Sequence, residues 1–228
     1  MNRLGQYRAT AYDDPAVRVA EPIDGFPQHH LAAGQAHWRQ KPAIRELRQI
    51  FIGSAYADEL FHLALPDAWI VAGCLVQTVW NVTTGRAVDY GINDYDIFYF
   101  DPDTSWQAED TVLRQLQRRL VQLGVTIEAR NQARVHLWYP EKHGLPYPAL
   151  RSSTEGIDRF LTKNTQVGIR RTDKGHDVYA PNGFDDISGL IVRPNPGPNF
   201  SAANYAAKAA RWNSLWPELT VLAADAVS

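Results

Sequence analysis

A predicted apolar strand that leads through a glycine into a helix limits the folds that this chain can adopt. The segment "AWIVAG" (68–73) predicts a short buried strand ending at Gly73. Residues 74–84 then have the apolar spacing of a helix, with Gly85 placed to end it. At such a junction, backbone N–H groups and the helix N-terminus can face a phosphate, and glycine permits close approach of the ligand. We therefore expect the backbone N–H groups of Gly73 and Cys74 to bind phosphate.

A second predicted strand carries two acids at its start. The stretch "DYDIFYF" (94–100) places Asp94 and Asp96 two residues apart, and residues at this spacing project from the same face of a strand. Two bare carboxylates so close together repel each other unless a cation neutralises them. Magnesium is the natural candidate, because it binds to one or two carboxylates while substrate phosphates supply other ligands. The pair therefore predicts a site for Mg²⁺ or Mn²⁺.

A third acid and an arginine complete the candidate site. Glu128 lies in "VTIEAR" (125–130), a predicted strand one helix downstream, where it would complete a two-metal site. The alternative for Glu128 is a solvent-facing strand residue. Arg134 in "NQAR" either pairs with a phosphate or braces the acidic cluster as part of the structure. Asp101 and Asp103 are expected to form the turn that leads into the next helix.

The remaining pattern mixes helices with strands. The segment 103–124 is the clearest predicted helix, with Thr104 or Ser105 as its cap and Gly124 as its end. Further predictions are a helix over 42–64, strands at 125–130 and 133–139, a short helix near 155–162, a hairpin of 166–171 with 176–180, and a final helix over 201–216. We expect an irregular N-terminal arm over 1–40 and a single domain over 41–228. Its fold class is α+β, with a mixed β-sheet flanked by helices.

Composition excludes several classes of protein. The 228 residues are 45% hydrophobic and 21% charged, as in an ordinary globular protein. The net charge of −2 argues against long nucleic acid as a partner, and a single cysteine excludes an internal disulfide and a Cys-rich zinc site. The N-terminus lacks the apolar core of a signal peptide, and the longest apolar run, "WIVAGCLV", is too short to span a membrane. We expect a cytoplasmic protein without a membrane partner.

Five motifs occur together in a fixed order. They are "AGCLVQTVWNVTTG", "NDYDIFYFD", "NQARVHLWYP", "APNGFDDISGLIVRPNP" and "LWPEL". Jointly they resemble a bacterial nucleotidyltransferase family of unknown substrate, once catalogued as a domain of unknown function, in the DNA polymerase β-like nucleotidyltransferase superfamily. The resemblance covers residues 45–220. It implies a nucleotidyltransferase core in which Asp94 and Asp96 bind magnesium, with Glu128 as the third acid.

The resemblance also implies an activity. Such an enzyme moves a nucleoside monophosphate from a nucleoside triphosphate, such as ATP, to an acceptor hydroxyl, here unidentified. The chain departs from its relatives after the glycine: Cys74 replaces the usual serine or glycine, and Val76-Gln77 replaces a frequent Arg-Asn or Arg-Asp. These departures keep open a catalytically degenerate module that binds nucleotide or a partner protein. A metal-dependent phosphohydrolase that uses the same acids is a further alternative.

Overall fold

The structure is a computed structural model that describes residues 18–19, 60, 63–121, 124–173 and 175–225. The arm expected over 1–40 lies outside the described residues apart from a two-residue strand, and so does most of the helix predicted over 42–64. No helix in the described part of the chain is long and apolar enough to cross a membrane.

A mixed sheet forms the centre of the domain. Six described strands build it: β1 (Arg18–Val19), β2 (Trp69–Val71), β3 (Tyr95–Tyr99), β4 (Ile127–Asn131), β5 (Gly168–Thr172) and β6 (Gly175–Tyr179). Their spatial order is β1-β6-β5-β2-β3-β4. The β1–β6 and β3–β4 pairs are parallel, whereas β2–β3, β2–β5 and β5–β6 are antiparallel. A small second sheet pairs β7 (Ile191–Val192) with β8 (Thr220–Val221) in parallel. The hairpin predicted within 166–180 is the β5–β6 pair.

Helices lie against the central sheet. They are α1 (Gly73–Thr83), α2 (Trp106–Leu120), α3 (Val135–His143), α4 (Ser153–Ile157), α5 (Asp185–Ser188) and α6 (Ala202–Leu215). The expected cap of α2 is confirmed, because Ser105 Oγ accepts the N–H of Ala108 at 3.2 Å. The short helix expected near 155–162 begins earlier and ends earlier, as α4. The predicted final helix is confirmed as α6.

The core is centred on α1, whose residues are buried continuously over 74–81. Trp80 of α1 packs edge-on against Trp212 of α6 and against Trp216 directly after it, with ring centroids 5.3 and 5.4 Å apart. A smaller apolar cluster around Trp69 covers the opposite face of the sheet. Because aromatic pairs of this kind contribute beyond their buried area, α6 is firmly held against α1.

The prediction of a strand over 133–139 is wrong, because most of these residues belong to α3. Val135 and Leu137 are spaced as in a strand, but Val135 is buried whereas Leu137 is 56% exposed. Asn131 ends β4 and turns the chain: its Oδ1 accepts the N–H of Ala133 at 3.1 Å. The Asn131 side chain thereby accepts a backbone N–H that, in an extended segment, would need a neighbouring strand as its partner.

Candidate active site

Strand register brings the sequence-predicted residues to one region of the sheet. Val71, the last residue of β2, is the partner of Asp96 in β3, and Asp96 is the partner of Glu128 in β4. Because α1 begins at Gly73, two residues after Val71, the start of this helix lies beside Asp96. The helix start and the two acidic strands therefore meet near the N-terminal ends of β3 and β4.

The turn between β2 and α1 has an unusual backbone. Ala72 takes φ 59° and ψ −123°, a conformation that residues with a side chain rarely adopt. Its N–H donates to Val167 O at 3.0 Å, and its carbonyl accepts from the N–H of Val76 at 3.2 Å. Strain of this kind concentrates at functional sites. The helix has no side-chain cap, so its first N–H groups suit an anion. The phosphate contacts expected of Gly73 and Cys74 stay predictions.

The side chains next to this turn are small or folded back over it. The Cys74 thiol donates to Val71 O at 3.5 Å. Burial, and next the charge of Asp96, raise the pKa of this thiol, so it stays protonated and behaves as a small core residue. A Cβ at Gly73 would lie 3.1 Å from the Nε2 of Gln77, so glycine leaves room for this amide.

Two neighbouring acids, Asp94 and Asp96, lie at the start of β3. Both are mostly buried, and neither carboxylate accepts a hydrogen bond or forms an ion pair with another described residue. Burial raises the pKa of Asp96 to about 7, the charge of Asp94 adds to this rise, and the charge of Lys208 opposes it. A buried carboxylate that is ionised and unpaired is costly, so the pair is suited to a cation.

Glu128 stands beside Asp96 in register, but its side chain is turned outward. It is 47% exposed and forms an ion pair of 3.2 Å with Arg130. Its charge raises the pKa of Asp96 less than burial and Asp94 do. Across the residues that the structure describes, no three His, Cys, Asp or Glu side chains are placed so that they could hold a metal ion together. The structure thus brings Asp94 and Asp96 together, and the role of Glu128 stays a prediction.

Arg134 lies near the other end of β3. Its Nε donates to Thr104 O at 3.1 Å, and its guanidinium forms an ion pair with Glu109 in which each side chain is only 12% exposed. Asn131, three residues earlier, is the register partner of Tyr99 at the end of β3. Tyr99 follows Asp96 by three residues of β3, a distance of roughly 10 Å along the strand. Arg134 therefore braces Glu109 at the opposite end of β3 rather than the acidic cluster at its start. Its contact with a phosphate stays a prediction.

Lys208 in α6 is the residue that the sequence analysis missed. Its Nζ lies 4.9 Å from the centroid of the Trp212 ring. Burial lowers the pKa of Lys208, and the charges of Asp96 and, to a smaller extent, Asp94 oppose this effect. The available signal was a lysine one helical turn before a tryptophan, but only the packing of α6 on α1 places its charge near the aspartates.

Comparisons with known proteins identify the fold and the family of this chain. A solved NMR structure, described as revealing a CCA-adding enzyme head domain, is similar over 79% of this chain and 94% of its own, with a TM-score of 0.65 and 23% sequence identity. This likeness confirms the expected fold, a polymerase β-like nucleotidyltransferase core with a mixed sheet flanked by helices. None of the curated proteins compared with the chain matches it significantly. A family model described as nucleotidyltransferase matches residues 58–221, more than half of the sequence, and the chain therefore belongs to this nucleotidyltransferase family.

Proposed function

We propose that this protein is a metal-dependent nucleotidyltransferase that moves a nucleoside monophosphate from a nucleoside triphosphate to an acceptor hydroxyl. Family membership supports nucleotidyl transfer in general. The observation that carries the proposal is the pair of partly buried carboxylates of Asp94 and Asp96. They have no hydrogen-bond or ion-pair partner among the described residues and lie beside the start of α1. A carboxylate pair and a helix N-terminus together suit a cation and a phosphate.

The donor set fits a hard divalent cation, since two unpaired carboxylates are available. Asp94 and Asp96 would hold Mg²⁺ or Mn²⁺, and Glu128 would join them only if its side chain left Arg130. When bound, such an ion neutralises the triphosphate and lowers the pKa of an attacking hydroxyl. The pKa of Asp96, about 7, means that a large share of this carboxyl is protonated near neutral pH until a cation arrives.

The chain's own groups have distinct tasks in the transfer. The backbone N–H groups of Gly73 and Cys74 would orient the phosphates at the helix start. The acceptor oxygen forms a bond to the α-phosphorus, the bond from that phosphorus to the bridging oxygen breaks, and pyrophosphate leaves with the electron pair. The hydroxyl proton goes to a general base, for which Glu128 is our candidate because it is exposed and adjacent to Asp96 in register.

A binding module without catalysis is the second candidate. Two observations favour it. The Glu128 side chain is paired with Arg130 rather than grouped with the aspartates. In addition, Val76 and Gln77 are buried in α1, and the side-chain amide oxygen of Gln77 has no partner among the described residues. Nucleotide binding would then remain while the chemical step is lost.

Labelled substrates separate these possibilities. The protein is incubated with each labelled nucleoside triphosphate, Mg²⁺ or Mn²⁺, and cell extract as the source of acceptor. The Asp94→Asn/Asp96→Asn double variant is the control. We expect label on an acceptor with the natural protein and none with the double variant. Nucleotide binding without product would favour the module, and free phosphate without a labelled acceptor would favour a phosphohydrolase. Equal labelling by both proteins would contradict the proposed site.

A further inference from the structure

Lys208 is held in place by aromatic packing between distant parts of the chain. Trp212, one turn further along α6, packs on Trp80 of α1. Trp216 donates from its Nε1 to Asn81 Oδ1 at 2.8 Å. A Cβ at Gly91, three residues before Asp94, would lie only 2.8 Å from the Trp216 ring. The segment that leads to the aspartates and the helix that carries Lys208 are therefore packed on the same tryptophan.

The ammonium of Lys208 rests on an aromatic ring. Among the residues that the structure describes it forms no hydrogen bond or ion pair, and it rests 4.9 Å from the Trp212 ring centroid. Other cations of the domain are engaged: Arg86 pairs with Glu218, and Arg193 pairs with Asp186. An ammonium has three donors, and withdrawing it from water without acceptors is costly. Lys208 is thus placed for an acceptor that arrives from outside.

The charges around Lys208 indicate which acceptor fits. The charges of Asp96, Arg211 and Asp94 all act on Lys208, so the two carboxylates at most offset the two cations and the cluster has no excess positive charge for a polyanion. One divalent cation on Asp94 and Asp96 gives the cluster a net positive charge. A positive cluster beside the start of α1 then favours a polyphosphate.

We propose that Lys208 is a substrate-binding residue whose ammonium binds the triphosphate of the nucleotide, once a divalent cation occupies the aspartate pair. The inference rests on the proposed function, because it assumes that a nucleoside triphosphate enters this site. The alternative role is structural, with the lysine stem covering Trp212 and the ammonium balancing Asp96.

Binding of nucleotide without turnover tests this role. Calorimetry with Mg²⁺ and a triphosphate analogue that cannot be cleaved at the α-phosphate is performed on the natural protein, Lys208→Met and Lys208→Arg. Arg118→Met is the control, since Arg118 is an exposed cation on another helix, α2. We expect Lys208→Met to weaken triphosphate binding by roughly tenfold or more, and to weaken binding of the corresponding nucleoside monophosphate much less. Lys208→Arg and Arg118→Met should stay within about threefold of the natural protein.

The outcomes distinguish the two proposals. If Lys208→Met binds the triphosphate as tightly as the natural protein, the inference about Lys208 is wrong and the proposed function is untouched. If binding weakens as expected but no acceptor is ever labelled, Lys208 binds nucleotide in a module without transferase activity. If the natural protein binds neither the analogue nor inorganic tripolyphosphate with Mg²⁺, both proposals are overturned. Thermal unfolding of each variant reports folding, and Lys208→Gln replaces Lys208→Met should the latter not fold.

Discussion

The two ends of strand β3 carry the same kind of side chain in opposite environments. At its start, Asp94 and Asp96 are mostly buried and have no partners among the described residues. After its end, Asp101 accepts the N–H of Asp103 at 2.8 Å, and Asp103 accepts the N–H of Ser105 at 2.9 Å. The later acids shape a turn, as the sequence predicted. The comparison teaches that the partners of an acid, rather than its presence, mark a candidate ligand site.

The pKa values of the acids at the two ends of β3 are shifted in opposite directions. Hydrogen bonds from Ser105 hold the pKa of Asp103 below its ordinary value, because they stabilise the carboxylate. Burial and the neighbouring Asp94 raise the pKa of Asp96 to about 7, because they disfavour its carboxylate. The carboxylate of Asp103 is therefore already stabilised by hydrogen bonds, whereas the carboxylate of Asp96 would be stabilised by a bound cation.

The largest expected effect separates the two ends by activity. We expect Asp96→Asn to reduce nucleotidyl transfer by at least about a thousandfold, because removing a metal-binding carboxylate removes stabilisation of the reacting phosphate. Asp103→Asn should change the rate by less than about threefold, since its side chain bonds to the neighbouring Ser105 and not to the site at the start of β3. The measurement is the rate of acceptor labelling, with circular dichroism to verify folding. Equal losses of the transfer rate in Asp96→Asn and Asp103→Asn would contradict the assignment of the site to the start of β3.

Glu128 gives the next largest effect. We expect Glu128→Gln to slow transfer by roughly a hundredfold if its carboxylate serves as the general base, in line with typical contributions of such groups. Arg130→Gln, which frees Glu128 from its ion pair, should not slow transfer. The pH dependence of the rate supplies the second readout, because loss of a general base removes the acidic limb of the profile. A normal rate in Glu128→Gln would assign the residue to the solvent-facing alternative.

The Arg134–Glu109 ion pair near the end of β3 should affect the stability of the fold rather than the binding of nucleotide. Arg134→Met leaves the mostly buried carboxylate of Glu109 unpaired, and we expect a loss of about 2–4 kcal/mol in the free energy of unfolding. The Arg134→Met/Glu109→Gln double variant should recover part of this loss, since neither charge is then isolated. Urea unfolding measures both. Weakened triphosphate binding at unchanged stability would instead support the phosphate role of Arg134.

The pH dependence of stability gives the smallest effect. Asp96 has a folded-state pKa raised from 3.8 to about 7, so the folded chain binds this proton more tightly than the unfolded chain. Its contribution therefore favours folding at low pH and is lost as the pH rises from about 4 to about 7.

The difference in the free energy of unfolding between Asp96→Asn and the natural protein separates the contribution of Asp96 from that of other titrating groups. Without metal, Asp96→Asn should gain stability relative to the natural protein between pH 4 and pH 8, on the order of 2–4 kcal/mol. Asp103→Asn should show the opposite sign and only below about pH 4, losing stability relative to the natural protein as the pH rises to that value, because the pKa of Asp103 is lowered from its ordinary value. Parallel curves for Asp96→Asn and the natural protein would contradict the burial of an unpaired carboxylate.

Local signals predicted most of the fold. Helix α1, strand β3, the capped helix α2 and the β5–β6 hairpin each follow from periodicity and from glycine or serine at their ends. The segment over 133–139 was misjudged, because a two-residue spacing of apolar side chains also occurs in a short helix that buries only Val135. Residue spacing is a weak guide where so few side chains enter the core.

The candidate site was predictable only in part. The spacing of Asp94 and Asp96 singled them out only together with the surrounding motifs, and strand register places Glu128 beside Asp96. The Glu128 side chain turns outward and pairs with Arg130, two residues away on the same strand face. Periodicity alone does not indicate whether Glu128 pairs with this arginine or binds a metal. Lys208 depends on contacts between Trp80 and Trp212, more than a hundred residues apart, which no local pattern specifies.

Binding of Mn²⁺ in the presence of a nucleoside triphosphate analogue, followed by electron paramagnetic resonance, tests the central claim most directly. The natural protein is compared with the Asp94→Asn/Asp96→Asn and Asp101→Asn/Asp103→Asn double variants. We expect the first pair of substitutions to weaken Mn²⁺ binding by at least about thirtyfold, and the second pair to leave it within about twofold of the natural protein. Unchanged Mn²⁺ binding in Asp94→Asn/Asp96→Asn, or its loss in Asp101→Asn/Asp103→Asn, would contradict the assignment of the metal site to the start of β3.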